Sequence, residues 1–166
     1  MTLSISYLLL GSNMGNRFAL LAAACEHIAE KLGDIVAQSH LYETAAWGNT
    51  AQAAFLNQAI ALATPLSPHD LLAAIHQIEQ QMGRVRQQRW DSRIIDIDIL
   101  AYEQLIVDSP NLSIPHPLLP QRRFALLPLC DIAPQWQHPI LQQTTLQMLQ
   151  NCSDNLWCNR ADVDIR

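Results

Sequence analysis

The chain has 166 residues, 49% of them hydrophobic and only 15% charged, enough apolar surface for one core and too little charge for a disordered chain. Its net charge of −5 argues against general nucleic-acid binding, and no apolar run approaches the ~18 residues of a membrane span. Cys25, Cys130, Cys152 and Cys158 form no Cys-x-x-Cys and the six histidines no His-Glu-x-x-His, which indicates neither a zinc site nor a redox dithiol. The opening residues lack the basic start of a signal peptide, so a cytoplasmic protein with free thiols is expected. One lysine stands against nine arginines, and six of those fall in two short segments. Local arginine clusters in an acidic chain suit a small anionic ligand better than a polymer.

In chain order, residues 4–10 read as a strand ending in Gly11-Ser12-Asn13-Met14-Gly15-Asn16. That turn lacks the Gly-Lys-Ser/Thr ending of a phosphate-binding P-loop and reads as a tight strand-to-helix connection. Asn16 is placed to cap a helix whose Leu21, Ala24, Ile28 and Leu32 recur at helical spacing, with Gly33 to end it. Residues 34–42 read as a second strand, 43–53 as a loop and 55–63 as a third strand. On that strand Phe55 and Asn57 share a face. A ring two residues from an amide suits a planar heterocycle, although a core phenylalanine beside a ladder-capping amide has the same pattern. Ser67-Pro68-His69-Asp70 has the chemistry of a helix start. Leu71, Ile75, Ile78 and Met82 form its apolar stripe, and Glu79 lies off it.

Gly83 opens the most telling stretch, with four arginines in the ten residues 84–93 directly ahead of a strand over residues 94–100. Asp96 and Asp98 point to one face of that strand; Ile95, Ile97 and Ile99 point to the other. Two adjacent carboxylates on an apolar strand need compensation. A Mg²⁺ ion with phosphate oxygens supplies it, and the arginines would grip the phosphates in planar forks. A set of Asp–Arg salt bridges without a ligand has the same residues. The order so far is β-α-β-β-α-β, the pattern of a ferredoxin-like α+β fold with an antiparallel sheet. Residues 105–107 are a further short strand and residues 108–120 a proline-bearing loop. A helix is expected over residues 121–131 despite Pro128, and a last one over 144–150. A single domain is expected over residues 1–150, and residues 151–166, which show no period, read as a weakly ordered tail.

Taken together, Leu10-Gly11-Ser12-Asn13-x-Gly15-x-Arg17, Tyr42-Glu43-Thr44-x-x-Trp47-Gly48, Phe55-Leu56-Asn57, Gly83-Arg84-x-Arg86, Arg93-x-x-Asp96-x-Asp98, Ile114-Pro115-His116 and Arg122-x-Phe124 resemble the 6-hydroxymethyl-7,8-dihydropterin pyrophosphokinase family of folate biosynthesis over residues 7–134. The resemblance implies transfer of a pyrophosphoryl group from ATP, the co-substrate, to the pterin hydroxymethyl oxygen, releasing AMP. It implies two Mg²⁺ ions on Asp96 and Asp98. It implies catalytic roles for Arg84, Arg93 and Arg122 beside that pair, and an ATP site of Glu79, Arg84, Arg86, Trp90, Arg93, Ile99 and His116. Phe55 and Phe124 would sandwich the pterin, Asn57 would read its polar edge, and Thr44 and Trp47 would complete the pocket. Trp90 would belong to a lid over residues 87–92, in which Asp91-Ser92 replaces the family's common Gly-Pro. Ala45-Ala46 likewise stands where a proline is frequent. A monomer acting on small molecules, with no nucleic-acid or membrane partner, is expected. A ferredoxin-like nucleotide-binding module without catalysis and a metal-dependent phosphohydrolase are the competing readings. The carboxylate pair opposes the first, and the two stacking rings oppose the second.

Overall fold

The computed structural model describes residues 2–48, 51–83 and 94–161. Strand β1 (Ser4–Ser12) leads into helix α1 (Arg17–Lys31). Asn16 caps that helix, its side chain accepting from the backbone N–H of Ala19 at 3.1 Å. The chain returns through β2 (Asp34–Gln38) and β3 (Tyr42–Thr44) to β4 (Phe55–Thr64). Helix α2 (Pro68–Gln81) starts as expected, with Ser67 as its cap and proline in its first turn, and β5 (Asp96–Tyr102) follows. A two-stranded ribbon, β6 (Val107–Ser109) with β7 (Leu112–Ile114), precedes α3 (Arg123–Ile132), α4 (Thr145–Asn151) and β8 (Cys158–Arg160).

The sheet runs β5-β1-β4-β3-β8, with β2 also pairing β4, and every pairing is antiparallel. Its central order is that of a ferredoxin-like α+β sheet. The two inner strands are covered on both faces, so their side chains divide between two cores. Leu8 and Leu10 of β1 join Leu21 and Ile28 of α1 and Leu71, Ile75 and Ile78 of α2. Leu9 and Ala59, on the opposite face, join Leu126 and Leu129 of α3 and Met148 of α4. This placement explains why β1 and β4 read as nearly continuous apolar runs rather than clean alternations. Gly33 lies where α1 meets the sheet. A Cβ there would fall 2.1 Å from the carbonyl oxygen of Ala63, so only glycine allows that approach.

Four segments differ from the sequence reading. The expected strand over 34–42 is broken into β2 and β3. Ser39 sits at the break, its N–H donating to Ala59 O and its Oγ accepting from Ala59 N, both at 2.9 Å, so one side chain replaces a rung of the ladder. The short strand expected at 105–107 begins only at Val107, and the expected loop after it contains β7 and a 3₁₀ turn at Leu119–Gln121. Glu79, read as off the buried stripe, is 3% exposed. The expected tail supplies β8, which pairs Arg160 with Tyr42 and Cys158 with Thr44.

Candidate active site

Two pieces of β-sheet chemistry meet in one cavity of about 450 Å³, a size suited to a small-molecule ligand. The first is on β5. Asp96 and Asp98 are half-buried and line the cavity, while Ile97 and Ile99 are 4% and 5% exposed and pack into the α1/α2 core. Ile97 and Ile99 also contribute to the cavity wall, so Ile99 serves both the core and the site. Glu79 reaches from α2 and accepts the N–H of Ile97 at 2.9 Å. A third carboxylate thus fixes the backbone between the two aspartates.

The second piece is on β4 and β3. Thr44 pairs with Phe55, and Asn57 pairs with Tyr42. Asn57 Nδ2 donates to Thr44 Oγ1 at 2.7 Å, and both residues are buried. That bond sets the amide plane and leaves Oδ1 above Gly11, where an added Cβ would lie 2.6 Å from it. Gly11 pairs with Asn57 on one side and with Asp96 on the other. Two strand spacings of ~4.8 Å therefore separate the carboxylate strand from the amide strand, about 10 Å in all, with no side chain between them on Gly11.

The cavity's outer wall comes from α3 and the loop after β3. Arg122, 9% exposed, precedes α3. Its guanidinium lies 4.8 Å from the Trp47 ring centroid and 5.4 Å from that of Phe124, a cation–π stack on two aromatic faces. His116 also lines the cavity. Its Nδ1 accepts the N–H of Leu118 at 3.2 Å, and its own N–H donates to Leu100 O at 2.9 Å. In the neutral ring this makes Nε2 the donor nitrogen.

On the same face of β3 as Thr44, Tyr42 donates its hydroxyl to Asp131 Oδ2 at 2.8 Å, joining the sheet to the end of α3. Burial, reinforced by that bond, pushes the phenol well above its ordinary range. Burial also pushes the Cys158 thiol, on the neighbouring strand, up to about 11. The four cysteines are free thiols, as expected.

The expected residues Glu79, Asp96, Asp98, Ile99, His116, Arg122, Thr44, Trp47, Phe55, Asn57 and Phe124 all line this one cavity. Arg84, Arg86, Trp90 and Arg93 lie outside the described residues. Sequence reasoning missed Gly11, Leu72, His76, Leu112 and Ser113, which line it too. Leu72, His76 and Glu79 share one face of α2 at i, i+4 and i+7, a spacing that by itself does not separate them from the core stripe Leu71, Ile75 and Ile78. Among the described residues, no group of three or more His, Cys, Asp or Glu is arranged to hold a metal. A two-carboxylate set fits a Mg²⁺ ion that takes its remaining ligands from phosphate oxygens and water.

The sequence model described as 7,8-dihydro-6-hydroxymethylpterin-pyrophosphokinase matches residues 7–134. A 2-amino-4-hydroxy-6-hydroxymethyldihydropteridine pyrophosphokinase of Methylorubrum extorquens is 49% identical over 130 residues, covering 78% of this chain and 82% of the relative. The enzyme of the same name from Bacillus subtilis is 34% identical over 162 residues, covering 97% and 95%. Among solved structures, an HPPK-DHPS of Plasmodium falciparum with pteroate superposes with a TM-score of 0.74 at 20% identity. That alignment covers 90% of this chain but only 42% of the longer one, and it bears on the fold alone.

Proposed function

The chain belongs to the 7,8-dihydro-6-hydroxymethylpterin-pyrophosphokinase family, and from that premise we propose that its cavity transfers pyrophosphate from ATP to 6-hydroxymethyl-7,8-dihydropterin, with Asp96 and Asp98 holding two Mg²⁺ ions. The supporting observation is the single cavity that joins the β5 carboxylates to the Asn57–Thr44 pair across Gly11. A flat acceptor at the β4 end can thereby present a substituent toward phosphates at the β5 end. The product belongs to folate biosynthesis.

In this reading Phe55 and Phe124 stack on the pterin faces, and Asn57, held in plane by Thr44, reads its polar edge. Trp47 closes the pocket. Arg122 leans on Trp47 and Phe124 at the rim and stabilises charge on the phosphates as it shifts to the transferring group. His116 donates from Nε2 toward the departing AMP. Arg84, Arg86 and Arg93 pair with phosphate oxygens, Trp90 excludes water, and Glu79 and Ile99 shape the nucleotide side. Mg²⁺ on Asp96 and Asp98 would neutralise phosphate charge and acidify the attacking hydroxyl. The described side chains contribute positioning and charge stabilisation, which carry most of the work in phosphoryl transfer. The same reading takes the enzyme as a cytoplasmic monomer.

The test follows AMP formation from ATP with and without the pterin, with Mg²⁺ or with EDTA. AMP that forms only when pterin and Mg²⁺ are both present is the expected result. ADP or phosphate without pterin would replace this reading with a hydrolase. ATP binding with no turnover would replace it with a binding module.

A further inference from the structure

The turn from β1 to α1 carries two polar side chains that the reaction does not use and that both reach into another part of the chain. Asn13, 5% exposed, donates from Nδ2 to the carbonyl oxygen of Ala53 at 3.1 Å. Arg17 donates from Nη1 to the next carbonyl, that of Ala54, at 3.1 Å. Its Nη2 donates to Glu43 Oε2 at 2.6 Å. Ala54 immediately precedes Phe55, and Glu43 immediately precedes Thr44; Phe55 and Thr44 are partners in the β3–β4 ladder. One guanidinium therefore holds both strands one residue upstream of the pair that lines the cavity. Asn13 holds the same loop one carbonyl earlier.

Helix stability does not explain this arginine. Arg17 is the first residue of α1, whose first turn contains no acidic residue. A cation there faces the positive end of the helix dipole. The position instead gives reach: Gly15, at φ +67, turns the chain so that Asn13 and Arg17 approach the same segment. Lysine could pair with Glu43, but it lacks a planar fork whose two nitrogens serve different partners.

We propose that Asn13 and Arg17 are positioning residues that set the Phe55 ring and the Thr44–Asn57 edge for the pterin, without touching either substrate. This rests on the reading of that end of the cavity as the pterin site. The test compares Asn13→Ala, Asn13→Ser, Arg17→Met and Arg17→Lys with Phe55→Ala, measuring KM for pterin and for ATP, kcat and thermal midpoint. Expected are a pterin KM raised about tenfold in Asn13→Ala, Arg17→Met and Arg17→Lys and an ATP KM within about twofold of the parent. Asn13→Ser, which keeps a shorter polar side chain, should fall between parent and Asn13→Ala. Arg17→Lys should retain the parent's thermal midpoint more closely than Arg17→Met while failing to restore the pterin KM. An unchanged pterin KM in the Asn13 and Arg17 variants, with a raised one in Phe55→Ala, overturns the positioning role alone. Equal rises in both KM values with a lowered midpoint also overturn it, in favour of a general scaffold role. An unchanged pterin KM in Phe55→Ala overturns the pterin reading and this inference with it.

Discussion

Asp98 pairs with Leu9 on the neighbouring strand and shares its face of the sheet with Asp96, so removing its carboxylate halves the charge available to a cation. Asp98→Ala is expected to abolish AMP formation and leave the circular dichroism spectrum unchanged. Retained turnover would remove the Asp pair from the chemistry. Phe124→Ala should weaken pterin binding by about 1–3 kcal/mol, the scale of a lost stacking face and its buried area, as read by pterin titration. Gly11→Ala places a Cβ against Asn57 Oδ1. Because Thr44 holds that amide, relief requires breaking the Asn57–Thr44 bond, and the pterin KM should rise while the ATP KM holds. The aspartate pair and Phe55 with Asn57 were legible because a strand's period of two states directly which side chains share a face. His76 and Leu72 were not, because site-facing and core-facing residues of α2 recur at the same helical spacing. Gly11 was read as the start of a turn. Its need for bare backbone comes from Asn57, 46 residues away in sequence but opposite in the ladder.

Among the elements, α2 and β5 are joined by a hydrogen bond as well as by the packing of Ile97 and Ile99 with Leu71, Ile75 and Ile78. Glu79 on the last turns of α2 accepts the N–H of Ile97, between the aspartates. Glu79→Gln keeps an acceptor and is expected to fold normally. Glu79→Ala leaves a buried N–H without that partner and should cost about 1–3 kcal/mol in chemical denaturation. The order of strands and helices through β5 was legible from caps, periodicity and turn chemistry. The break between β2 and β3 was not, because Ser39 replaces a ladder rung with its hydroxyl and no composition cue accompanies that exchange. Nor was β8 legible: Cys158, Asn159 and Arg160 have little strand propensity, and their conformation comes from the β3 edge they pair with.

For the molecule as a whole, stability should be bounded on both sides of neutrality. His138 is 5% exposed, and its Nδ1 accepts the N–H groups of Ile140 and Leu141 at 3.2 and 3.1 Å. Burial lowers its pKa. The unfolded chain takes up this proton near pH 6.5 while the native state resists it, so stability is present above that pH and falls as pH drops through it. His138→Asn should flatten the decline between about pH 7 and 5 in urea titrations. Cys158 and Tyr42 are displaced the other way. Their contributions are complete below the unfolded values and fall as pH rises beyond roughly 9 and 10. Tyr42→Phe should reduce the alkaline slope. The β3–β8 pairing also has a temporal side. At about 5–20 residues per second of synthesis, the ribosome makes Tyr42 on the order of ten seconds before Arg160. Once β3 has paired with β4, it remains an open edge until β8 is made and pairs with it, with N–H and C=O groups available to a stray strand. β8, made long after β3, is therefore a late seal on the side of the sheet where the acceptor would sit.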